Sequence, residues 1–317
     1  MDLDEEVLDE AAMVADMTAD HCFRELSDAL EAFTADALIC ITPPAFHCQH
    51  ATQAMVAGLD VVCEKPLATS LDDALAVARK SHETGQLVAV SQNYRYRPLT
   101  WTLQRLVQQG QIGELGQVSL DFYKGWPFNY DDFRRTMPQP LLVDMAIHHF
   151  DLLRFITGLE AVSVSGESWN PPWSKNSGDT SVAVTFTLEN GARFVYTASW
   201  CAQGDFSDWN GNWLLEGQTG SLHYRQGALT LNHCLDRYQV ADSQKVRLQG
   251  PPLSEQAYVL ADLMAARRED RQPRTSVFDN LRSLAMVMAA IEAVKTGQIV
   301  AVSNNEIEEL AQVSREQ

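Results

Sequence analysis

The chain has 317 residues, 45% hydrophobic and 21% charged, with a formal net charge of −18. Its length suits two domains better than one. The acidic balance argues against nucleic acid or an anionic membrane as partner, since both need a basic face.

The opening Met-Asp-Leu-Asp-Glu-Glu lacks the apolar core of a signal peptide, which points to a cytoplasmic protein. Six cysteines without C-x-x-C spacing fit reduced thiols there, and no metal site is expected. Periodicity predicts helices over 3–15 and 24–33, then an apolar strand at 37–41. A helix over 45–57 ends at Gly58, and a strand follows at 60–63. Ser70, with Asp72 and Asp73 behind it, caps a helix that stops near Gly85. The third strand runs over 87–91, and Pro98 marks a change of texture. Cys40 and Cys63 fall within these strands, where cysteine acts as a small hydrophobe.

Strand, helix, strand, helix, strand implies parallel pairing with right-handed crossovers. Three loops, Thr42-Pro43-Pro44, Glu64-Lys65-Pro66 and Asn93-Tyr94-Arg95, then emerge at the carboxyl edge of one sheet, where open α/β folds bind ligands. Beyond Pro98 a helix over 99–109 leads into a strand at 118–122. Alternating strands at 161–169, 180–188, 192–200, 212–216, 220–225 and 228–232 follow, with Glu189-Asn-Gly191 as a hairpin turn. Strands without intervening helices imply an antiparallel sheet. Helices return at 253–268 and 277–296. The fold class is α/β: an incomplete Rossmann-type parallel domain over 1–97, then an α/β domain with an open, mainly antiparallel sheet over 98–317.

The stretch 141–156 is apolar nearly all round, so its helix is expected to be buried. Asp144, His148 and Asp151 share one stripe of it, and His149 points elsewhere. A histidine beside a carboxylate suits proton transfer near neutral pH. His148 would take the proton of a substrate hydroxyl as hydride leaves the same carbon, with Asp144 orienting the ring. Lys65 would hydrogen-bond that hydroxyl and stabilise developing negative charge. The residues equally allow a satisfied buried Asp144–His148 pair and a Lys65–Glu64 salt bridge. Two basic clusters, Arg95/Arg97 and Arg134/Arg135, are candidates for holding an anion, or for solvated surface. Tyr123, Trp126 and Phe128 offer an aromatic wall for a sugar ring or ordinary packing.

Taken together, Glu64-Lys65-Pro66, Thr42-Pro43-Pro44-x-x-His47 and Asp144-x-x-x-His148-x-x-Asp151 resemble the glucose–fructose oxidoreductase/inositol dehydrogenase/MocA family over residues 2–300. The resemblance implies a Rossmann domain followed by a domain with an open antiparallel sheet. It also implies NAD or NADP as cofactor, a sugar, inositol or related polyol as substrate, and homo-oligomers joined through that sheet. By motif, Lys65, Asp144 and His148 match catalytic positions. Thr42, Pro43, Pro44, His47, Glu64, Lys65, Pro66 and Asn93 match the cofactor side, and Tyr94, Arg95, Trp126 and Asp151 the substrate side. The Lys65–Pro66 bond is expected to be cis.

The family pattern also calls for a first βαβ unit with G-x-G-x-x-G, whose backbone N–H groups hold the pyrophosphate. None of the 17 glycines forms even a G-x-G. The expectation is a chain that starts late relative to the family, has that unit supplied by another chain, or has lost the cofactor. Three functions follow: a dehydrogenase, a non-catalytic carbohydrate-binding or assembly protein on a degenerate dehydrogenase fold, and a lyase or NAD-assisted glycosidase. Unsatisfied strand edges predict poor solubility or association.

Overall fold

The computed structural model describes residues 1–2, 4–16, 18–125, 133–236, 239–302 and 305–313. Two compact units emerge. The first holds residues 1–91, 259–281 and the chain from Glu309; the second holds 92–258 and 282–308.

The first unit begins with α1 (Glu5–Ala15) and α2 (Leu26–Ala32), then alternates β1 (Ala37–Cys40), α3 (Pro44–Val56), β2 (Asp60–Cys63), α4 (Leu71–Thr84) and β3 (Val88–Val90). The strands form a parallel sheet in the order β1-β2-β3. α4 is bounded as its sequence dictates: the Ser70 hydroxyl accepts the Asp73 N–H at 3.1 Å, and Gly85 closes the helix at φ +70°. Every residue of β2 and β3 is buried, as parallel strands covered on both faces require. β1 departs from this, because it is the outer strand: Ile39 is 55% exposed, and Ile41 just beyond it 72%. Cys40 and Cys63 are buried as expected.

The division at residue 97 needs correction. The boundary lies between Ser91 and Gln92, and residues 259–281 return to the first unit. The reason lies at the far edge of the small sheet. Val90 N–H donates to the Thr275 carbonyl at 2.8 Å, and Ala89 bridges Ser276, so the returning segment satisfies the backbone groups of β3. Arg267 adds an ion pair to Asp60 on β2.

The second unit contains α5 (Pro98–Gln108), β4 (Leu115–Tyr123), α6 (Ile147–Thr157), β5 (Ala161–Trp169), β6 (Ser181–Leu188), β7 (Arg193–Ser199), β8 (Asn212–Gly217), β9 (Gly220–Arg225), β10 (Ala228–Cys234) and β11 (Val240–Val246). α7 (Glu255–Glu269), α8 (Val277–Thr296), β12 (Val300–Ala301) and α9 (Asn305–Val313) complete the chain. β11, β12 and α9 escaped the sequence reading: β11 is polar and almost wholly exposed, and β12 has only two residues. The sheet runs β11-β10-β9-β8-β4-β7-β6-β5-β12, antiparallel except for the β4–β7 pair. The Asn190-Gly191 turn joins β6 to β7, with Gly191 at φ +86°. Burial alternates along β6, the signature of one covered face. α6 supplies that cover: the Phe150 ring meets Phe186 at 4.8 Å and Tyr196 at 5.2 Å. Among the described residues no helix is long and apolar enough to cross a membrane.

Candidate active site

In the first unit the candidate residues stand at the carboxyl ends of β1 and β2. Thr42, Glu64 and Lys65 are half-buried there, and Pro66 is buried. His47, on the first turn of α3, is 1% exposed and ties the two loops together. Its Nδ1 lies 2.8 Å from the Pro66 carbonyl oxygen and its Nε2 2.6 Å from that of Thr42. Pro43 precedes the helix and Pro44 occupies its first turn, where a missing N–H costs nothing. The Thr42 hydroxyl sits 3.2 Å from His50 Nδ1. The Glu64 carboxylate accepts the Lys65 backbone N–H at 3.2 Å. The Lys65–Pro66 bond is cis. His47 therefore works through these loops: it sets where Thr42 and Lys65 stand.

Cys40 and Cys63 lie side by side behind the same loops. A hydrogen bond from the Cys63 thiol, aided by Thr42, pulls the Cys40 thiol down to about 5. Burial pushes nearby Cys48 up to about 11.

In the second unit the candidate residues stand on the turn Asn93–Tyr96 and at the start of the buried helix. That helix does not open as a regular α-helix. Leu141–Ala146 is π-helical and passes into α6 at Ile147, a widening that recurs at functional sites. Asp144 lies in the π turn and His148 on the first turn of α6. The His148 ring stacks on Tyr94 at 4.1 Å, 10° from parallel. The Arg97 guanidinium lies 3.2 Å from the same tyrosine's centroid. Two groups that close must occupy opposite faces, so Tyr94 is clamped between His148 and Arg97. Arg97 is itself held by Glu255 at 2.5 Å. Burial raises the Tyr94 hydroxyl above its usual range, which keeps it a hydrogen-bond donor. Asn93 is buried beside this stack.

Asp144 accepts a forked ion pair from Arg134, with Nε at 2.8 Å. Arg134 is thus one partner of the carboxylate expected to serve the imidazole. Arg95 and Asp151, expected at the substrate, meet each other instead. Asp151 is wholly buried, and Arg95 reaches it with Nε at 2.6 Å and a terminal nitrogen at 2.5 Å. Ser283 donates to Asp151 at 2.8 Å and accepts from Arg154, which forks onto Glu160. Closed off in this way, the pair positions the Asn93–Tyr96 turn against α6. Trp126 and Phe128 lie outside the described residues. His149, set aside in the sequence reading, is a core residue with Nδ1 3.0 Å from the Tyr196 hydroxyl. Burial drives it down to about 3.

Arg97 and Arg134 take part more closely than the sequence reading allowed. Their basic clusters were visible, but nothing in the spacing connected Arg97 with Tyr94 or Arg134 with Asp144. The nicotinamide cofactor can be tested against the first unit in the same terms. Half-exposed Thr42, Glu64 and Lys65, braced from behind by a histidine that joins their loops, fit the reactive end of such a group. The binding of its pyrophosphate has no G-x-G loop to draw on in this sequence.

These features define an oxidoreductase-type α/β protein, and comparison with known proteins narrows the class. The profile described as "Oxidoreductase family, NAD-binding Rossmann fold" matches residues 4–92. That described as "GFO/IDH/MocA C-terminal domain" matches residues 100–223. The chain belongs to the Gfo/Idh/MocA oxidoreductase family. The uncharacterized protein y4oX of Sinorhizobium fredii is 29% identical over 318 residues, spanning 95% of this chain and 86% of that protein. The scyllo-inositol 2-dehydrogenase (NAD(+)) of Bacillus subtilis is 29% identical over 171 residues, about half of each chain (50% and 46%). In structure, an oxidoreductase from Agrobacterium radiobacter, solved with NAD+, L-tartaric acid and magnesium, superposes with a TM-score of 0.81. It covers 95% of this chain and 89% of its own at 19% identity, a likeness of fold.

Proposed function

We propose that this chain is an NAD(P)-dependent dehydrogenase that oxidises a secondary hydroxyl of a sugar, inositol or related polyol. The observation that carries this reading is the His148 arrangement: an imidazole at a π-to-α transition, stacked on a clamped tyrosine. Stacking fixes the ring plane, so its nitrogens keep one direction, as a general base requires. The cofactor, when bound, supplies the hydride acceptor.

In this reading His148 accepts the proton of the substrate hydroxyl. Lys65 donates a hydrogen bond to the oxygen on which negative charge develops. Asp144, neutralised by Arg134, places a polar, charge-balanced edge at the substrate. Thr42, Pro43, Pro44, His47, Glu64, Pro66 and Asn93 shape the cofactor's surroundings, and the Tyr94 hydroxyl addresses a neighbouring substrate oxygen. The name of the inositol dehydrogenase relative supports a polyol substrate. The half-buried Thr185, Val195, Thr197 and Leu214 of the open sheet are the surface through which copies would join, a point that sedimentation would check.

The second reading is a non-catalytic carbohydrate-binding or assembly protein on a degenerate dehydrogenase fold, in which the same loops hold a sugar without a dinucleotide. A single experiment separates the two. Cofactor-free chain is titrated with NADH and NADPH by fluorescence, then assayed for NAD(P)+ reduction against a panel of inositols and aldoses. Micromolar binding with turnover is expected. His148→Ala and Lys65→Ala should each cut turnover about 10²–10⁴-fold with an unchanged circular-dichroism spectrum. No binding at millimolar cofactor, or near-normal turnover in both variants, would sink the dehydrogenase assignment.

A further inference from the structure

Behind the Thr42 and Lys65 loops, the first unit gathers three soft ligands whose chemistry the proposed reaction leaves unused. Cys40 ends β1 and Cys63 ends β2, and the two are register partners in the parallel pair. Partners in register project to the same face of a sheet. His47 approaches from α3. The two sulfurs and a ring nitrogen of His47 lie within 4.8 Å of one another. All three residues are almost dry: Cys40 is 3% exposed, Cys63 0% and His47 1%.

Each ring nitrogen of His47 meets an acceptor. Both of its ring nitrogens face carbonyl oxygens, Pro66 at 2.8 Å and Thr42 at 2.6 Å, and carbonyl oxygens only accept. A neutral imidazole has one N–H. In either neutral tautomer, therefore, one nitrogen turns its lone pair on an oxygen. The neighbouring sulfurs only add electron density. A cation held by one of the nitrogens would relieve this.

We propose that Cys40, Cys63 and His47 form a binding site for one thiophilic divalent cation of the zinc class. His47 has the support such a ligand needs, because a metal-bound histidine ordinarily donates its other ring N–H to a backbone carbonyl. One ring N–H on its carbonyl, Pro66 or Thr42, does this and leaves the other nitrogen for the ion. Tetrahedral zinc holds sulfur at about 2.3 Å and nitrogen at about 2.0 Å, so its ligands stand about 3.5–3.8 Å apart. Drawing the three donors in from 4.8 Å or less requires side-chain shifts on the order of 1 Å. The Thr42 hydroxyl, 3.4 Å from the Cys40 sulfur, is at hand for the fourth position. Binding releases the two thiol protons to solvent and leaves two thiolates and a neutral imidazole on the ion. The bound ion would join the β1 and β2 loops covalently, as His47 now joins them by hydrogen bonds.

The test uses the whole chain, reduced and stripped with chelator, and Cd²⁺ as the probe. An ultraviolet thiolate-to-cadmium charge-transfer band should saturate at one ion per chain. The band should survive when Cys22, Cys48, Cys201 and Cys234 are all replaced by serine, since two cysteines then remain. Cys40→Ser and Cys63→Ser should each abolish it, and His47→Gln should weaken binding tenfold or more. Loss of the band in the chain that keeps Cys40 and Cys63 alone would overturn the proposal, even if the single variants fail to fold. Persistence of the full band in Cys40→Ser or Cys63→Ser would do the same.

Discussion

The two sheets solve the burial problem differently. The three-stranded parallel sheet of the first unit is covered on both faces at β2 and β3, but its outer strand β1 shows Ile39 and Ile41 to solvent. The nine-stranded sheet of the second unit covers one face with α6 and ends in the short β12 and the polar β11. A long antiparallel sheet can close its edges with chain that has little to bury, because its apolar content lies at alternate positions. A short parallel sheet has apolar residues throughout, so an edge strand inevitably displays some. The consequence is a difference in where each unit keeps its stability. In the second it is concentrated at α6; in the first it declines from β3 to β1.

The largest expected effect is at the α6 ion pair. Asp151→Ala leaves Arg95 buried and uncompensated, which costs about 3–5 kcal/mol. Denaturant unfolding would measure it, and a loss below 1 kcal/mol would show that the pair is not what holds the Asn93–Tyr96 turn to α6. Next comes the gradient within the first unit. Met55→Ala, at a residue 1% exposed, should cost about 2–5 kcal/mol. Ile39→Ala on the exposed edge should stay within about 0.5 kcal/mol. Equal costs would mean that β1 is covered in solution.

A further effect is graded with pH. His149 is neutral in the folded chain, its protonation moved down to about 3 by burial, whereas in the unfolded chain it titrates near 6.5. As pH falls below about 6.5 the unfolded state takes up the proton first. The second unit then loses up to about 1.4 kcal/mol per pH unit, until pH approaches 3. His149→Gln should flatten this acid limb while lowering stability at pH 7. An unchanged limb in that variant would assign the acid sensitivity to other groups.

Much of the first unit could be read directly from the chain. Ser70, Gly85 and the Asn190-Gly191 turn act within a few residues of themselves, so their effects appear in local sequence. The same holds for β2 and β3, whose continuous apolar runs announce burial on both faces. The site was less legible. Lys65, Asp144 and His148 stood out as chemistry-bearing residues, yet Asp144 also takes Arg134 as a partner, ten residues away across a stretch without regular pattern. Arg95 and Asp151 looked like ligand contacts because an arginine after a strand and an aspartate on a helix stripe are compatible with binding or with each other. Their 56-residue separation hides the choice.

By itself, then, the sequence determined the parallel first unit, the antiparallel second unit, the loops that carry Thr42, Lys65 and Tyr94, and the family to which they belong. The elements follow from periodicity, caps and turns, which are short-range properties of the chain, and the family from the resemblance of three short motifs. Only the tertiary structure decided that residues 259–281 return to the first unit, that Tyr94 lies between Arg97 and His148, and that Arg95 is spent on Asp151. It also brought Cys40, Cys63 and His47 together from two strands and a helix. Each of these is a pairing across the fold, set by which buried charge or unpaired backbone group had to be satisfied, and no local pattern encodes that choice.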